Sequence, residues 1–184
     1  MVVRKLVFMR QIDWIKKRDK NKFPLTKYMT VEMIVEIPYN SCVKYELDKN
    51  NRLVCDRILH TAMAYPGNYG YIPNTLAGDG DPLDVLLICD HPLFPTSRVS
   101  IKVIGLLKTE DEKGQDEKLI AVPSTSVDPN YSEINEISDI PKHTLSKIRH
   151  FFSHYKDMEE DKWVVVGDFM NRAYAEDLLI KLKT

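Results

Sequence analysis

Three aspartates occur within six residues of this sequence, in the segment Asp79-Gly-Asp-Pro-Leu-Asp84, directly before an apolar run. Carboxylates this close repel one another unless a cation lies between them. All the candidate ligands in the segment are oxygen atoms, which favour Mg²⁺ or Mn²⁺ over zinc. The alternative is a solvated acidic turn, because Asp, Gly and Pro are all common turn residues. The segment alone leaves both interpretations open.

An EF-hand is the calcium-binding alternative for this acidic segment. Its loop requires Gly at position six and prefers Glu at position twelve. Counted from Asp79, those positions hold Asp84 and Asp90, and Pro82 lies inside the loop. The pattern therefore excludes an EF-hand.

A second acidic group occupies residues 110–118, where several Asp and Glu residues are interleaved with Lys. Alone, such a group is typical of a solvated hairpin tip. It indicates a functional site only if it lies close to the aspartates at 79–84. Isolated basic residues occur at strand and helix positions elsewhere: Lys44, Arg57, Lys118 and Lys156. Together with carboxylates that hold divalent ions, they predict a phosphate-rich anionic substrate. The sequence has neither GxxxxGKS/T nor GxGxxG, so the common nucleotide-binding loops are excluded.

The elements that must position these residues change in type along the chain. Apolar or alternating runs predict strands at 31–37, 43–47, 53–59, 85–88, 98–109, 119–122 and 163–166. Residues 61–83 predict a long structured loop, because they hold three Pro and four Gly. The spacing of Leu145, Ile148 and Phe152 predicts one face of a helix, and residues 170–183 predict a closing helix. Strands first and helices later indicate an α+β domain.

Length and composition limit the class of protein. The 184 residues, 43% of them hydrophobic, fit one globular domain with a substantial core. No apolar run approaches the roughly 20 residues that span a bilayer. The three cysteines, Cys42, Cys55 and Cys89, are an odd number without a CxxC pair. They predict reduced thiols, so we expect a cytoplasmic protein with no membrane partner.

The overall charge of −1 hides an asymmetry. Residues 1–27 carry nine Lys or Arg against two Asp, a net charge of +7, so the remainder carries −8. An organelle-targeting segment is one interpretation, but such segments are typically rich in Ser, and Thr26 is the single hydroxyl residue here. We favour a basic N-terminal extension over residues 1–30, followed by a single domain over residues 31–184.

The acidic segment, continued to Val85, resembles the signature of the soluble family I inorganic pyrophosphatases at every position. Other segments resemble that family in order and spacing: Glu36-Ile-Pro38, Lys44-Tyr-Glu46, Asp56-Arg57, Tyr65-Pro-Gly-Asn-Tyr-Gly70, residues 108–118 and His154-Tyr-Lys156. The resemblance covers roughly residues 31 to 170 and is closest to the short bacterial-type members. It implies an α+β fold, an OB-like five-stranded β-barrel flanked by helices, and an enzyme that hydrolyses pyrophosphate to two orthophosphates.

The resemblance also implies metal ligands and a general base. The ligands of several Mg²⁺ ions per subunit, with Mn²⁺ as a substitute, would be Asp79, Asp84, Asp111 and Asp116. Asp84 would bridge two ions, and Asp81 would orient and deprotonate the attacking water. A metal supplies a strong nucleophile at neutral pH by lowering the pKa of bound water. The expected mechanism is therefore direct attack by a Mg-activated water, without a phosphoenzyme.

The remaining matched side chains would hold the substrate. Lys44 and Arg57 would contact one phosphoryl group, and the opposite group would be held by Lys118, Tyr155 and Lys156. Tyr65 and Tyr69 would shape the pocket by hydrogen bonding. Glu36 and Glu46 would act through neighbouring side chains and would not bind a metal ion themselves. Of these, Lys44, Arg57 and Tyr69 are expected to be catalytic together with Asp81. Basic donors of this kind neutralise the charge on departing phosphate.

Further expectations concern assembly, the core and rival functions. Short members of the family are commonly hexamers, so the resemblance implies a homohexamer. We assign a structural or subunit-contact role to His150 and His154, which lie four residues apart. Their spacing also suits zinc, but an H-E-x-x-H motif is absent. Phe151, Phe152 and Trp163 are expected in the core.

Two rival functions remain. One is a barrel that binds single-stranded nucleic acid, and the net negative charge of the domain argues against it. The other is a phosphohydrolase for nucleoside triphosphates or polyphosphate.

Overall fold

The computed structural model describes residues 28–184. The predicted basic extension and the targeting alternative therefore lie outside the described residues, apart from the last three positions of the extension. The division into an extension and a domain beginning at residue 31 stays a prediction. No helix in the described range is long and apolar enough to cross a bilayer.

The described chain forms nine strands and two α-helices. The strands are β1 Thr30–Ile37, β2 Val43–Leu47, β3 Leu53–Ile58, β4 Asn68–Tyr71, β5 Asp84–Leu87, β6 Arg98–Asp111, β7 Gly114–Gln115, β8 Lys118–Pro123 and β9 Val164–Asn171. The helices are α1 Lys142–His154 and α2 Arg172–Leu182, preceded by two 3₁₀ turns, Pro129–Tyr131 and Ile137–Asp139. Strands precede helices except for β9, as the sequence pattern predicts.

Five strands close into a ring. β1 pairs with β4, β4 with β5, β8 with β6, and β6 again with β1, all antiparallel, while β5 and β8 are parallel. The path β1-β4-β5-β8-β6 thus returns to its start, which removes the free edges of a sheet. The predicted OB-like five-stranded barrel flanked by helices is confirmed. Strand β9 extends the pairing of β6 outside the ring.

The core lies inside the ring and under the helices. Fully buried side chains from the strands, such as Met33, Val85 and Leu106, pack with Ala175 and Leu179 of α2. A second cluster joins the outer surface of the ring to α1, where Phe151 and Phe152 are buried as expected. The expectation for Trp163 is wrong. Its side chain is 46% exposed, because the residue precedes β9 and lies outside the paired sheet.

The segment 61–83 contains a strand that the sequence pattern missed. β4 is only four residues long and lies among Gly and Pro, so no alternation marks it. At Gly70 a Cβ atom would lie 1.9 Å from the carbonyl oxygen of Ile34, so a side chain there would collide with β1. Glycine is therefore required at this position by the close approach of two strands.

Strands β2 and β3 form a separate two-stranded sheet, called here the β2–β3 hairpin. Its base is closed by a hydrogen bond from the Leu59 amide to the Cys42 carbonyl, at 2.8 Å. At its tip, Asp48 accepts hydrogen bonds from the amides of Asn50 and Arg52. Asn51 adopts a left-handed conformation with φ 56°, which Asn tolerates well. The hairpin projects beside the barrel rather than belonging to it.

Candidate active site

A cavity of about 590 Å³ lies between the β2–β3 hairpin, the acidic segment 79–84, the β6–β8 connection and the end of α1. Every side chain predicted for the site lines this cavity: Glu36, Lys44, Glu46, Arg57, Tyr65, Tyr69, Asp79, Asp81, Asp84, Asp111, Asp116, Lys118, Tyr155 and Lys156. The structure thus brings together residues from six separate segments. Their individual chemical roles remain predictions.

The inner wall of the cavity is built by two neighbouring parallel strands. Val85 of β5 pairs with Leu119 of β8, so the residues just before them, Asp84 and Lys118, also lie side by side. The Lys118 ammonium donates to Asp84 Oδ2 at 2.5 Å and also contacts Asp116. Tyr69 donates its hydroxyl hydrogen to the same Asp84 oxygen at 2.6 Å. Strand register therefore places the Lys118 ammonium beside Asp84, and Asp116 contacts the same ammonium from the connection between β7 and β8.

Burial shapes the protonation of this inner group. Desolvation raises the pKa of Asp116 to about 6, although the nearby Lys118 opposes the change. Burial lowers the pKa of Lys118, but the charges of Asp84 and Asp116 outweigh it and the net pKa lies above the usual value. Lys118 is therefore charged at neutral pH, and the acidic pair keeps a compensating cation.

Three buried tyrosines face the same space. Desolvation raises the pKa values of Tyr65, Tyr69 and Tyr155 well above 10. Their rings pack against Phe151 and Phe152 of α1, with ring centroids between 4.8 and 6.1 Å apart. All three hydroxyls therefore keep their hydrogens at neutral pH and can donate to an anion.

The second acidic group is part of the cavity wall and not a solvated tip. Asp111 ends β6 and is buried, and its Oδ2 accepts a hydrogen bond from Lys156 at 2.8 Å. Burial raises the pKa of Asp111, but the hydrogen bond from Lys156 and the backbone outweigh it and the net pKa is lowered. Gly114 turns the chain with φ 120°, which directs Asp116 back towards Lys118. Asp111 and Asp116 thus reach the cluster at 79–84.

The hairpin supplies the outer cations. Lys44 contacts Glu46 and lies 3.2 Å from Asp56 Oδ2, and Arg57 contacts the same Asp56 carboxylate. Glu36 of β1 ties the hairpin to the barrel, because its Oε1 accepts from the Leu47 amide at 2.9 Å. Burial raises the pKa of Glu36 to about 7. Lys44 and Arg57, unlike Lys118, stand on a sheet separate from the barrel and are held by side-chain contacts.

The acidic segment itself forms the open rim. Gly80 has φ 91°, a left-handed conformation that favours glycine. The Asp81 amide donates to Asp79 Oδ1 at 3.1 Å, which fixes the turn. The Asp81 side chain is 66% exposed, and Lys113 Nζ lies 3.7 Å from it. Asp81 is therefore more exposed than Glu46, Asp84, Asp111 and Asp116.

Several residues near the cavity had no role in the sequence analysis. Asp56, Glu112, Lys113 and Lys162 line it, and Glu159 contacts Arg57. For Glu159 and Lys162 the sequence signal is the three-residue spacing of charges after Lys156. That spacing is also typical of a solvated turn, so it does not identify a site by itself.

The chemistry of the donors can be compared with the needs of a divalent cation. Within residues 28–184, no three His, Cys, Asp or Glu side chains converge on one point. The ammonium of Lys118 lies between Asp84 and Asp116, and Lys156 neutralises Asp111. The available ligands are all carboxylate oxygens around one cavity, the donor type that Mg²⁺ prefers. The donor set therefore fits this class of ion.

The histidine pair lies elsewhere, on the exposed face of α1. The rings of His150 and His154 meet edge to face with centroids 4.7 Å apart. The His154 Nδ1 lies 2.8 Å from Asp157 Oδ2. Neither histidine lines the cavity among the described residues. The assignment of this pair to a subunit contact stays a prediction.

Comparison with known proteins gives consistent matches. The model of a family described as inorganic pyrophosphatase matches residues 33–183. The inorganic pyrophosphatase of Rickettsia typhi is 46% identical over 170 residues, 91% of this chain and 92% of that protein. A solved inorganic pyrophosphatase from Helicobacter pylori is similar with a TM-score of 0.82 and 44% identity, covering 86% of this chain and 96% of that one. A structure from Anaplasma phagocytophilum has a TM-score of 0.83 and 45% identity, covering 86% and 94%.

Proposed function

The chain belongs to the inorganic pyrophosphatase family and hydrolyses inorganic pyrophosphate, and from this premise we propose that a Mg²⁺-activated water attacks the substrate directly. The observation that supports this proposal is the alternation of carboxylates and cations around one cavity. A small, highly charged anion needs donors at fixed positions, and carboxylates that bind divalent cations bring further positive charge to it.

The carboxylates would hold the cation. Asp79, Asp84, Asp111 and Asp116 would be its ligands, and their oxygens suit Mg²⁺, with Mn²⁺ as a substitute. When bound, the ion lowers the pKa of a water and neutralises charge on phosphoryl oxygens. Asp81 would accept the proton of the attacking water. Its exposure lets the proton pass on to solvent, since 66% of its side chain is accessible.

The basic and phenolic side chains would hold the two phosphoryl groups. Lys44 and Arg57 approach from the hairpin, and the opposing donors are Lys118, Tyr155 and Lys156. Tyr69 would orient Asp84 through its 2.6 Å hydrogen bond. The raised pKa values of Arg57, Lys118 and Tyr155 keep these three donors protonated at neutral pH, so they need no proton transfer before binding. Such preorganised donors stabilise charge that develops on the leaving phosphate.

The test is phosphate release from pyrophosphate in the presence of Mg²⁺. The wild type should be active, and Asp81→Asn should lose activity by about two to four orders of magnitude, the range for loss of a general base. Asp177→Asn, an exposed aspartate on α2, is the matched control and should behave as the wild type. Equal activity of Asp81→Asn and the wild type would exclude the proposed base.

An inactive wild type with Mg²⁺, Mn²⁺ and varied pH would contradict the proposed function itself. The nucleic-acid-binding alternative would then be tested by retention of single-stranded DNA. The net charge of −8 outside residues 1–27 argues against that alternative, because a negative domain repels a phosphate backbone.

A cytoplasmic location and assembly into a homohexamer are also proposed. The exposed face of α1 with His150 and His154 is the surface we assign to the contact. Light scattering of the full chain should give six times the mass of one subunit, and a monomeric mass would exclude this assembly.

A further inference from the structure

The Arg57 side chain is hydrogen-bonded to a carboxylate from a distant part of the sequence. Its Nε donates to Glu159 Oε1 at 3.0 Å, across 102 residues of sequence. Both side chains are largely buried, with 18% of Arg57 and 7% of Glu159 exposed. Among the described residues, Arg57 lines the cavity whereas Glu159 lies outside its lining. Glu159 therefore contacts a site residue without facing the substrate space.

The contact fixes the plane of the guanidinium. Asp56 contacts Nη1 of Arg57, and Glu159 accepts from Nε, so two nitrogens of one rigid fork are held by two carboxylates. Burial alone would lower the pKa of Arg57, but the charges of Glu159 and Asp56 outweigh it, so the net pKa is raised. A planar fork held at two points loses little further freedom on binding an anion.

Glu159 also connects the two sides of the cavity. Its amide donates to the Lys156 carbonyl at 2.8 Å, which makes residues 156–159 one turn. The same turn presents the Lys156 ammonium to Asp111. Arg57 lies on the β2–β3 hairpin, which shares no ladder with the barrel, so strand register does not set its distance to Lys156. The Arg57–Glu159 contact supplies that link.

We propose that Glu159 is a positioning residue, which holds the Arg57 guanidinium by its Nε–H and thereby fixes the hairpin cation opposite Lys156. This inference rests on the proposed function, because Arg57 is taken to hold one phosphoryl group. Glu159 acts through Arg57 and contacts no reacting atom. Lys162 Nζ lies 3.9 Å from the other carboxylate oxygen of Glu159.

The experiment measures kcat and KM for pyrophosphate with Mg²⁺ in three variants. Glu159→Ala should raise KM about tenfold, because a less firmly held Arg57 binds its phosphoryl group more weakly. The value of kcat should change by less than about twofold, because Arg57 itself remains and the donors on the opposite side still stabilise the leaving phosphate. Glu159→Gln should recover part of the loss, because its amide oxygen still accepts from Nε. Glu160→Ala removes the neighbouring exposed carboxylate and should match the wild type.

A second comparison tests whether Glu159 acts through Arg57. In Arg57→Lys the Nε donor is absent, so adding Glu159→Ala should raise KM by less than about twofold further. If Glu159→Ala lowered only the melting temperature and left KM unchanged, the role of Glu159 would be structural alone. That result would overturn the inference. Additive effects of the two substitutions would overturn it as well. If the wild type releases no phosphate, the proposed function fails and the inference falls with it.

Discussion

The cavity has two walls that are built in different ways. The inner wall consists of Asp84, Lys118 and Asp116, which stand on or beside adjoining barrel strands, and only 3% of the Lys118 side chain is exposed. The outer wall is carried by the β2–β3 hairpin, where the side chains of Lys44 and Arg57 are 22% and 18% exposed. Backbone pairing therefore fixes the inner charges, whereas side-chain contacts fix the outer ones.

The difference separates the two tasks of the site. A buried cation between two carboxylates cannot leave without exposing them to each other uncompensated, so the inner wall keeps its charges in a fixed arrangement. The hairpin adds cations that belong to a separate small sheet, and a two-stranded sheet alone has little stability in water. We infer that the inner wall contributes to the stability of the fold and that the hairpin contributes mainly to binding.

Removing the buried cation should give the largest effect. Lys118→Met leaves Asp84 and Asp116 facing each other without compensation, and breaking a buried pair in this way costs about 3–5 kcal/mol. The free energy of unfolding, measured by urea denaturation in EDTA, should fall by about this amount. Lys44→Met removes a hairpin cation of the same type and should cost about 1 kcal/mol or less. Equal losses would contradict the distinction between the walls.

Mg²⁺ extends the same experiment. If Asp84 and Asp116 bind the ion, adding Mg²⁺ should stabilise Lys118→Met more than the wild type, because no ammonium competes for the carboxylates. Binding at about 100 times the dissociation constant contributes about 2.7 kcal/mol. The same Mg²⁺-dependent gain in both proteins would argue against these two aspartates as ligands.

The two walls also differ in how far the sequence predicts them. The acidic segment is local, and its residue types already indicate a divalent cation. Asp111 and Asp116 join this segment only when the ring of strands closes, and no periodicity within one strand reveals that closure. The family resemblance predicted that these two residues belong to the site. The contact of Glu159 with Arg57 was not predicted, because it joins a hairpin to a turn 102 residues later.

The strands show the same limit on what local sequence patterns predict. Strand β2 was predicted with its bounds, since polar and apolar residues alternate in it. Strand β4 was not, because it is held by neighbours on both sides and needs Gly70 where a strand pattern needs a side chain. Local patterns therefore predict elements that bury one face, and they miss short elements whose conformation tertiary contacts impose.

Glu36, which joins the walls, should give an intermediate effect that depends on pH. Burial raises its pKa from 4.5 to about 7, so the folded state binds a proton that the unfolded state has lost. Stability without metal should therefore be present below pH 4.5 and decline as the pH rises towards 7. Glu36→Gln has no ionisation cost and should be more stable than the wild type by about 3 kcal/mol above pH 7.

The measurement is urea denaturation in EDTA from pH 4 to 8. Glu32→Gln, a half-exposed carboxyl on the same strand, is the control. A difference between Glu36→Gln and the wild type that stays constant with pH would show that Glu36 is not held protonated. The link between barrel and hairpin would then be an ionised one.

The smallest effect should be confined to the tip of the hairpin. Asp48→Ala removes the acceptor of the Asn50 and Arg52 amides, at 2.8 and 3.0 Å, and the salt bridge to the Arg52 side chain. Amides of β2 and β3 should exchange hydrogen severalfold faster, because the turn opens more often, while amides of β6 keep their rate. Faster exchange in β6 as well would mean that hairpin and barrel open together. In that case the outer wall would be part of the same cooperative unit as the inner one.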